Sequence, residues 1–199
     1  MSRGFVRALT LAAAIALGSA SATAHATVMI EVPMERLVVE ADLVVHGRVI
    51  TTGARLVPNA EGHLEPHSIA IVGVSEVLAG APRGRELVID EIGGEVQGRA
   101  MRIAGTPSYR AGEEVVIFLR ALPSGEYRTY AMAQGAFEVL PAIGAAQPIV
   151  VRDTRAVSMA RWASGAMQID HGQRAEMPLA AFLDYVRALV SASREDGVR

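Results

Sequence analysis

Two stretches decide the fold: "DLVVHGRVITT", residues 42–52, and "SIAIVGVSEVL", residues 68–78. Both are rich in β-branched residues, which favour extended backbone. Each carries a glycine at its centre, Gly47 and Gly73. A glycine inside a strand marks a bulge or a bend. Short strands with central glycines predict a small closed or nearly closed barrel, because glycine lets strands coil around a narrow core.

The rest of the chain extends this pattern. Residues 79–84 read as a turn and 86–92 as a third strand. "TPSYRAGEEVVIFLR", residues 106–120, ends in a continuous apolar run, Val115 to Leu119, expected for a central strand buried on both faces. Further strands are expected at 127–132, 135–140 and 148–152. Residues 53–66 read as a loop, and 93–114 as a long loop with a short edge strand near 99–103. Pro33 to Ala41 predicts a two-turn helix, with proline in the first turn. Residues 178–193 predict an amphipathic helix with Leu179, Phe182, Leu183, Val186, Leu189 and Val190 on one face. Residues 153–177 carry no pattern that assigns them.

Residues 1–26 read as a signal peptide. Arg3 and Arg7 precede a short apolar core, and Ala24-His25-Ala26 is a small-x-small cleavage site. The apolar core is shorter than the about 20 residues a membrane helix needs. The expectation is cleavage near Ala26 and a periplasmic or secreted product with no membrane span. The organisation then reads as a leader (1–26), a β-barrel domain (27–152) and a C-terminal segment (153–199) ending in a helix packed on the barrel.

Removing the leader leaves 17 arginines (19 minus two) against 21 acidic residues, a net charge of −4. There is no lysine and no basic tract, which argues against nucleic acid as a partner. Cysteine is absent, which excludes disulfides, thiolate nucleophiles and thiolate metal sites.

"ADLVVHGRV", "VSEVLAG", "GTPSYRAGEEVVIFL" and "AQGAFEV" resemble, in order, the strand motifs of netrin and tissue-inhibitor-of-metalloproteinase (NTR-like) domains. The resemblance covers roughly residues 41–140. The chain also resembles a group of exported bacterial proteins of unassigned activity that share "GGEVQG…GTPSYRAGEE". The resemblance implies an OB-fold barrel and an extracytoplasmic binding module. It does not imply protease inhibition by the family's route, which chelates the protease zinc through a cysteine at the mature N-terminus.

Several residue sets are candidates for chemistry. Arg99, Arg102, Tyr109 and Arg110 share the long loop, and tyrosine and arginine dominate binding hot spots. The competing reading is a loop that plugs one barrel mouth. His63 and His67 are types that ligate metals, but Gly62 and Pro66 disfavour the helix that would bring them together. His46 reads as a half-buried packing residue. Asp170-His171 suggests an oriented base, although neighbours on an extended chain point apart. Ser108, Ser124 and Ser158 lie in no nucleophile motif. Asp90-Glu91 and Glu113-Glu114 read as solvated strand ends, Gly93–Gly98 as a turn or barrel corner, and the lone Trp162 as a packing residue.

The sequence therefore predicts a mainly β protein: a small OB-like, NTR-like barrel with a short N-terminal helix and a C-terminal helix. The expected role is non-catalytic binding of an extracytoplasmic protein or small ligand through residues 93–114, with no cofactor. Modulation of a secreted protease is one form of that role. The alternative is a metal-dependent or hydrolytic enzyme using His63, His67 or His171.

Overall fold

The computed structural model describes residues 27–142 and 147–196. The expected signal peptide, 1–26, lies outside the described residues. The element order is β1 (Val28–Ile30), α1 (Met34–Glu40), β2 (Leu43–Pro58), β3 (Leu64–Gly80), β4 (Glu86–Ile92), β5 (Gly94–Val96), β6 (Arg99–Met101) and β7 (Glu114–Ala121). It continues with β8 (Tyr127–Thr129), a single 3-10 turn, β9 (Ala136–Leu140), β10 (Ile149–Asp153), β11 (Ser158–Ala163), β12 (Ala166–His171), β13 (Arg174–Pro178) and α2 (Leu179–Asp196).

The main sheet runs β13-β10-β9-β7-β2-β3-β4-β8, and β7 also pairs with β8. That last pairing closes β2, β3, β4, β8 and β7 into a five-stranded barrel. All its pairings are antiparallel except β4 with β8. One edge of β7 is shared. Its first half pairs with β9 and its second half with β8, so the barrel parts where β9 peels away.

β7 meets the expectation of a strand buried on both faces. Val115, Ile117 and Leu119 point into the barrel, with Leu43, Val45, Val49, Val72, Leu87 and Ile89. Val116 and Phe118 point outward into a second core beneath the helices. There they meet Leu37 and Val38 of α1 and Phe182, Leu183, Val186 and Val190 of α2. Phe137 links the two sides of this layer, with ring centroids 5.7 Å from Phe118 and 4.6 Å from Phe182. Each fully buried side chain of this size contributes about 1.5–3 kcal/mol. The helical stripe foreseen from spacing is the buried face of α2. Among the described residues no helix is long and apolar enough to cross a membrane.

Gly47 does what a strand-centre glycine is expected to do. The β2–β3 register shifts between His46 and Gly47. A Cβ at Gly47 would sit 2.4 Å from the Gly73 carbonyl oxygen, a backbone atom that cannot move aside. The two strands approach this closely only without that carbon. Gly47→Ala is therefore expected to destabilise by about 1–3 kcal/mol, read as a lower urea midpoint. Gly53→Ala, six residues along the same strand with no heavy atom within 4 Å, is expected to leave the midpoint unchanged or slightly raised.

Three expectations are corrected. Residues 53–66 are not a loop. β2 and β3 continue as a hairpin ribbon to a tight turn at 59–63, closed by Asn59 N–H donating to the His63 carbonyl at 2.8 Å. The ribbon projects beyond the barrel, so much of its outer part is exposed and the apolar alternation that marks a strand is missing. Tyr127–Met132 is not one strand, because β8 ends at Thr129 and a 3-10 turn begins at Met132. Trp162 does not pack: it is 71% exposed. The unassigned stretch 153–177 forms the β11–β12 hairpin, which pairs with β1, and most of β13, which pairs with β10.

Candidate functional site

Residues 93–113 form a strapped excursion between β4 and β7. At its start, Ser68 Oγ donates to the Gly93 carbonyl at 2.7 Å, and the β5–β6 hairpin folds over the barrel wall. Ala133 N–H donates to the Gly105 carbonyl at 2.8 Å. At its end, Gly112 N–H donates to the Val49 carbonyl and Val49 N–H to the Glu113 carbonyl, both at 2.8 Å. Arg48 Nη1 donates to the Gly112 carbonyl at 2.7 Å. A loop so anchored holds its outward side chains on a fixed base.

Tyr109 is the central anchor. It packs against the barrel-interior cluster, and its hydroxyl lies 2.5 Å from Thr129 Oγ1. Burial raises the phenol well above its ordinary pKa, with the nearby Glu91 charge adding to the effect. Tyr109→Phe is expected to cost about 1 kcal/mol, because buried Thr129 loses its partner. Amide exchange across 105–113 should quicken by about fivefold at that cost.

The arginines stand on the other side of the loop. Arg99, Arg102 and Arg110 are all exposed. Arg110 Nη1 reaches Glu113 Oε1 at 3.0 Å, and Arg99 Nη1 only skims the Leu64 carbonyl at 3.5 Å. Depressions flank the loop. A cleft of about 280 Å³ lies between it and the β9–β10 region, rimmed by Arg110, Glu113, Glu138, Asp153 and Arg174. A groove of about 380 Å³ lies towards β5–β6, rimmed by Glu95, Arg102, Ile103 and Ser108. The four residues proposed from sequence are thus divided: three arginines outward, and the tyrosine inward as a plug.

Beside the loop lies a charge network that sequence reasoning took for solvated strand ends. Asp90 and Glu91 are both almost fully buried. They are consecutive on β4, so their side chains leave on opposite faces. Asp90 lies on the outer face and accepts from three donors. These are Arg55 Nη2 at 2.5 Å, His67 Nδ1 at 2.5 Å and Arg128 Nη2 at 3.0 Å. Strand register assembles them, since Arg55 on β2 lies opposite His67 on β3. Burial pushes the Asp90 carboxyl up, but the donors from Arg55, His67 and Arg128 outweigh it and hold it below its ordinary range. Glu91 points inward, in line with Leu87 and Ile89, and accepts Thr129 N–H at 2.9 Å. Burial raises its carboxyl to about 7 against that hydrogen bond. The pattern that carries a signal is the strand itself: Leu87, Ile89 and Glu91 share one parity, so Glu91 continues a core row.

The histidines do not converge. His67 is buried and bonded to Asp90, whereas His63 is exposed in the ribbon turn, its N–H donating to Asn59 Oδ1 at 2.8 Å. Four extended residues separate them by about 13 Å. Among the described residues no three His, Asp or Glu side chains gather as a metal-binding group. His46 is half-buried, with Nε2 2.8 Å from Glu114 Oε1. His171 is exposed on β12, and its neighbour Asp170 faces Arg161 at 3.2 Å. No protein-family model matches the chain, and no curated protein is significantly similar to it.

Proposed function

We propose that the chain is an exported, non-catalytic binding module of OB type, similar to NTR-like domains, that recognises a protein or small ligand through the 93–114 loop. The observation that carries this reading is the division of the loop. Tyr109 and the straps at both ends fix it to the barrel, while Arg102 and Arg110 each rim a cleft and Arg99 is exposed on the β5–β6 hairpin. Guanidinium groups with few internal partners on a rigid base suit carboxylate-bearing ligands or an acidic protein face. The five-stranded barrel with one parallel pairing supports the OB reading. A secreted protease is the partner class that the family resemblance brings forward. Chemistry built on His63, His67 and His171 gains no support, because the three lie apart.

The test is affinity capture from the expressing host's exported fraction. The native chain is compared with Arg99→Ala, Arg102→Ala and Arg110→Ala combined, with Tyr109 kept so that the fold is intact. A partner retained by the native chain and lost by the triple variant is expected. Equal retention by both chains contradicts the assignment to this loop.

A further inference from the structure

The two helices cover the outer end of the main sheet only in part. On β10, Val150 and Arg152 share a face, because strand side chains alternate. Val150 is buried in the core beneath the helices. Arg152 is half-buried, and Ala175, its register partner on β13, is exposed. An apolar cleft of about 140 Å³ opens at this row, lined by Met34, Phe137, Val150, Met177, Phe182 and Tyr185. Its walls come from α1 and α2, and its floor from β9, β10 and β13. Tyr185 Oη donates to Glu35 Oε1 at 3.1 Å, which braces α2 against α1 beside the cleft. A second cleft, of about 150 Å³, is lined largely by polar residues, among them Gln134, Thr154 and Gln173. Arg152 and Ala175 line both clefts, so Arg152 stands where the apolar one meets the polar one.

Arg152 differs from the arginines around it. Arg155 pairs with Asp153 at 2.6 Å, Arg174 with Glu176 at 2.8 Å and Arg161 with Asp170 at 3.2 Å. Among the described residues Arg152 has no such carboxylate. Its guanidinium carbon lies 5.8 Å from the Phe137 ring centroid, so one flat face is spent on an aromatic ring. The N–H edge of the guanidinium remains for an acceptor, and that edge is a fork matched to a carboxylate.

We propose that this trough binds a small aromatic carboxylate, with the ring in the apolar cleft and the carboxylate on Arg152. The volume suits one ring, since an apolar cavity of about 150 Å³ accommodates benzene. Phe137 and Phe182 supply aromatic walls, and the thioethers of Met34 and Met177 adapt to the ring edge. The carboxylate accepts two parallel N–H bonds from the guanidinium, the strong form of this pairing. A peptide ending in phenylalanine carries the same two groups. The free acid is the ligand, because the nearly all-apolar lining leaves the N–H and C=O groups of a peptide without partners. No residue of 93–114 lines either cleft, so the inference stands independently of the loop's proposed function.

Titration calorimetry of the native chain with phenylacetate tests this. A dissociation constant on the order of 100 µM is expected for a ligand of this size. Phenylacetamide, which keeps the ring and loses the charge, should bind at least about tenfold more weakly. Acetate, which keeps the charge and loses the ring, should do the same. Arg152→Gln is expected to weaken phenylacetate binding at least about tenfold. Ala175→Leu provides a second variant that leaves Arg152 in place. Its side chain is exposed, so the fold tolerates the change, and the added carbons obstruct the floor beside Arg152. A urea midpoint equal to the parent's shows that each variant is folded. Absence of saturable binding in the millimolar range overturns the proposal. So does phenylacetamide binding as tightly as the acid, or native affinity in either variant. A peptide ending in phenylalanine that binds about tenfold more tightly than the free acid overturns the assignment to a small molecule.

Discussion

Asp90→Ala is expected to destabilise the fold by about 3 kcal/mol, at the lower end of the cost of breaking a buried ion pair. The carboxylate is the shared acceptor of Arg55, His67 and Arg128, and Arg128 Nε also donates to the Asp90 backbone carbonyl at 2.9 Å. Its removal strands buried His67 and leaves two guanidiniums facing each other. The lower end applies for two reasons: both arginines reach water, and Arg55 keeps its contacts to Glu126 at 2.5 and 2.8 Å. Asp90→Asn, which retains an acceptor oxygen, should cost less. Urea unfolding at neutral pH measures both. The network also sets an acid limit. The Asp90 carboxyl lies below its ordinary value of 3.8, so its contribution is present above that value and is lost as pH falls through the folded pKa.

Glu91 titrates in the opposite direction. Its carboxyl is raised by burial from 4.5 to about 7, so the folded state holds the proton more tightly than the unfolded chain. Stability from this group is complete below pH 4.5 and is lost as pH rises through about 7. A shift of that size corresponds to about 3 kcal/mol between the two limits. Glu91→Gln reproduces the protonated form and keeps an oxygen for Thr129 N–H. The variant is expected to match the parent near pH 4.5 and to exceed it by up to about 3 kcal/mol at pH 8.5. Parallel stability curves for the two proteins across that range contradict the assignment.

How far the chain could be read before folding depends on what each residue answers to. The β7 run was legible because five consecutive apolar residues require burial on both faces, and Gly47 because only a backbone approach explains glycine amid β-branched neighbours. The α2 stripe was legible from its spacing. The hairpin ribbon at 53–66 was not, since a strand pair outside the core has little to pattern it. Asp90 and Glu91 were misread for a related reason. A charged pair at a strand end resembles a solvated one until its partners, 35 and 38 residues away, are in place. Trp162 was misread because tryptophan is usually buried, and only the pairing of β11 with β12 and β1 shows which face it occupies. Of the four loop residues, their grouping was legible. The inward turn of Tyr109 was not, because it depends on Thr129 across the barrel.

The most direct test of the central claim is a hydrogen-exchange footprint of the native chain with the partner that it retains from the exported fraction. Protection centred on residues 95–112, absent for the Arg99, Arg102 and Arg110 triple variant, is the predicted result. Protection elsewhere on the barrel, with 95–112 exchanging as in the free protein, contradicts it and leaves the loop as a plug held by Tyr109.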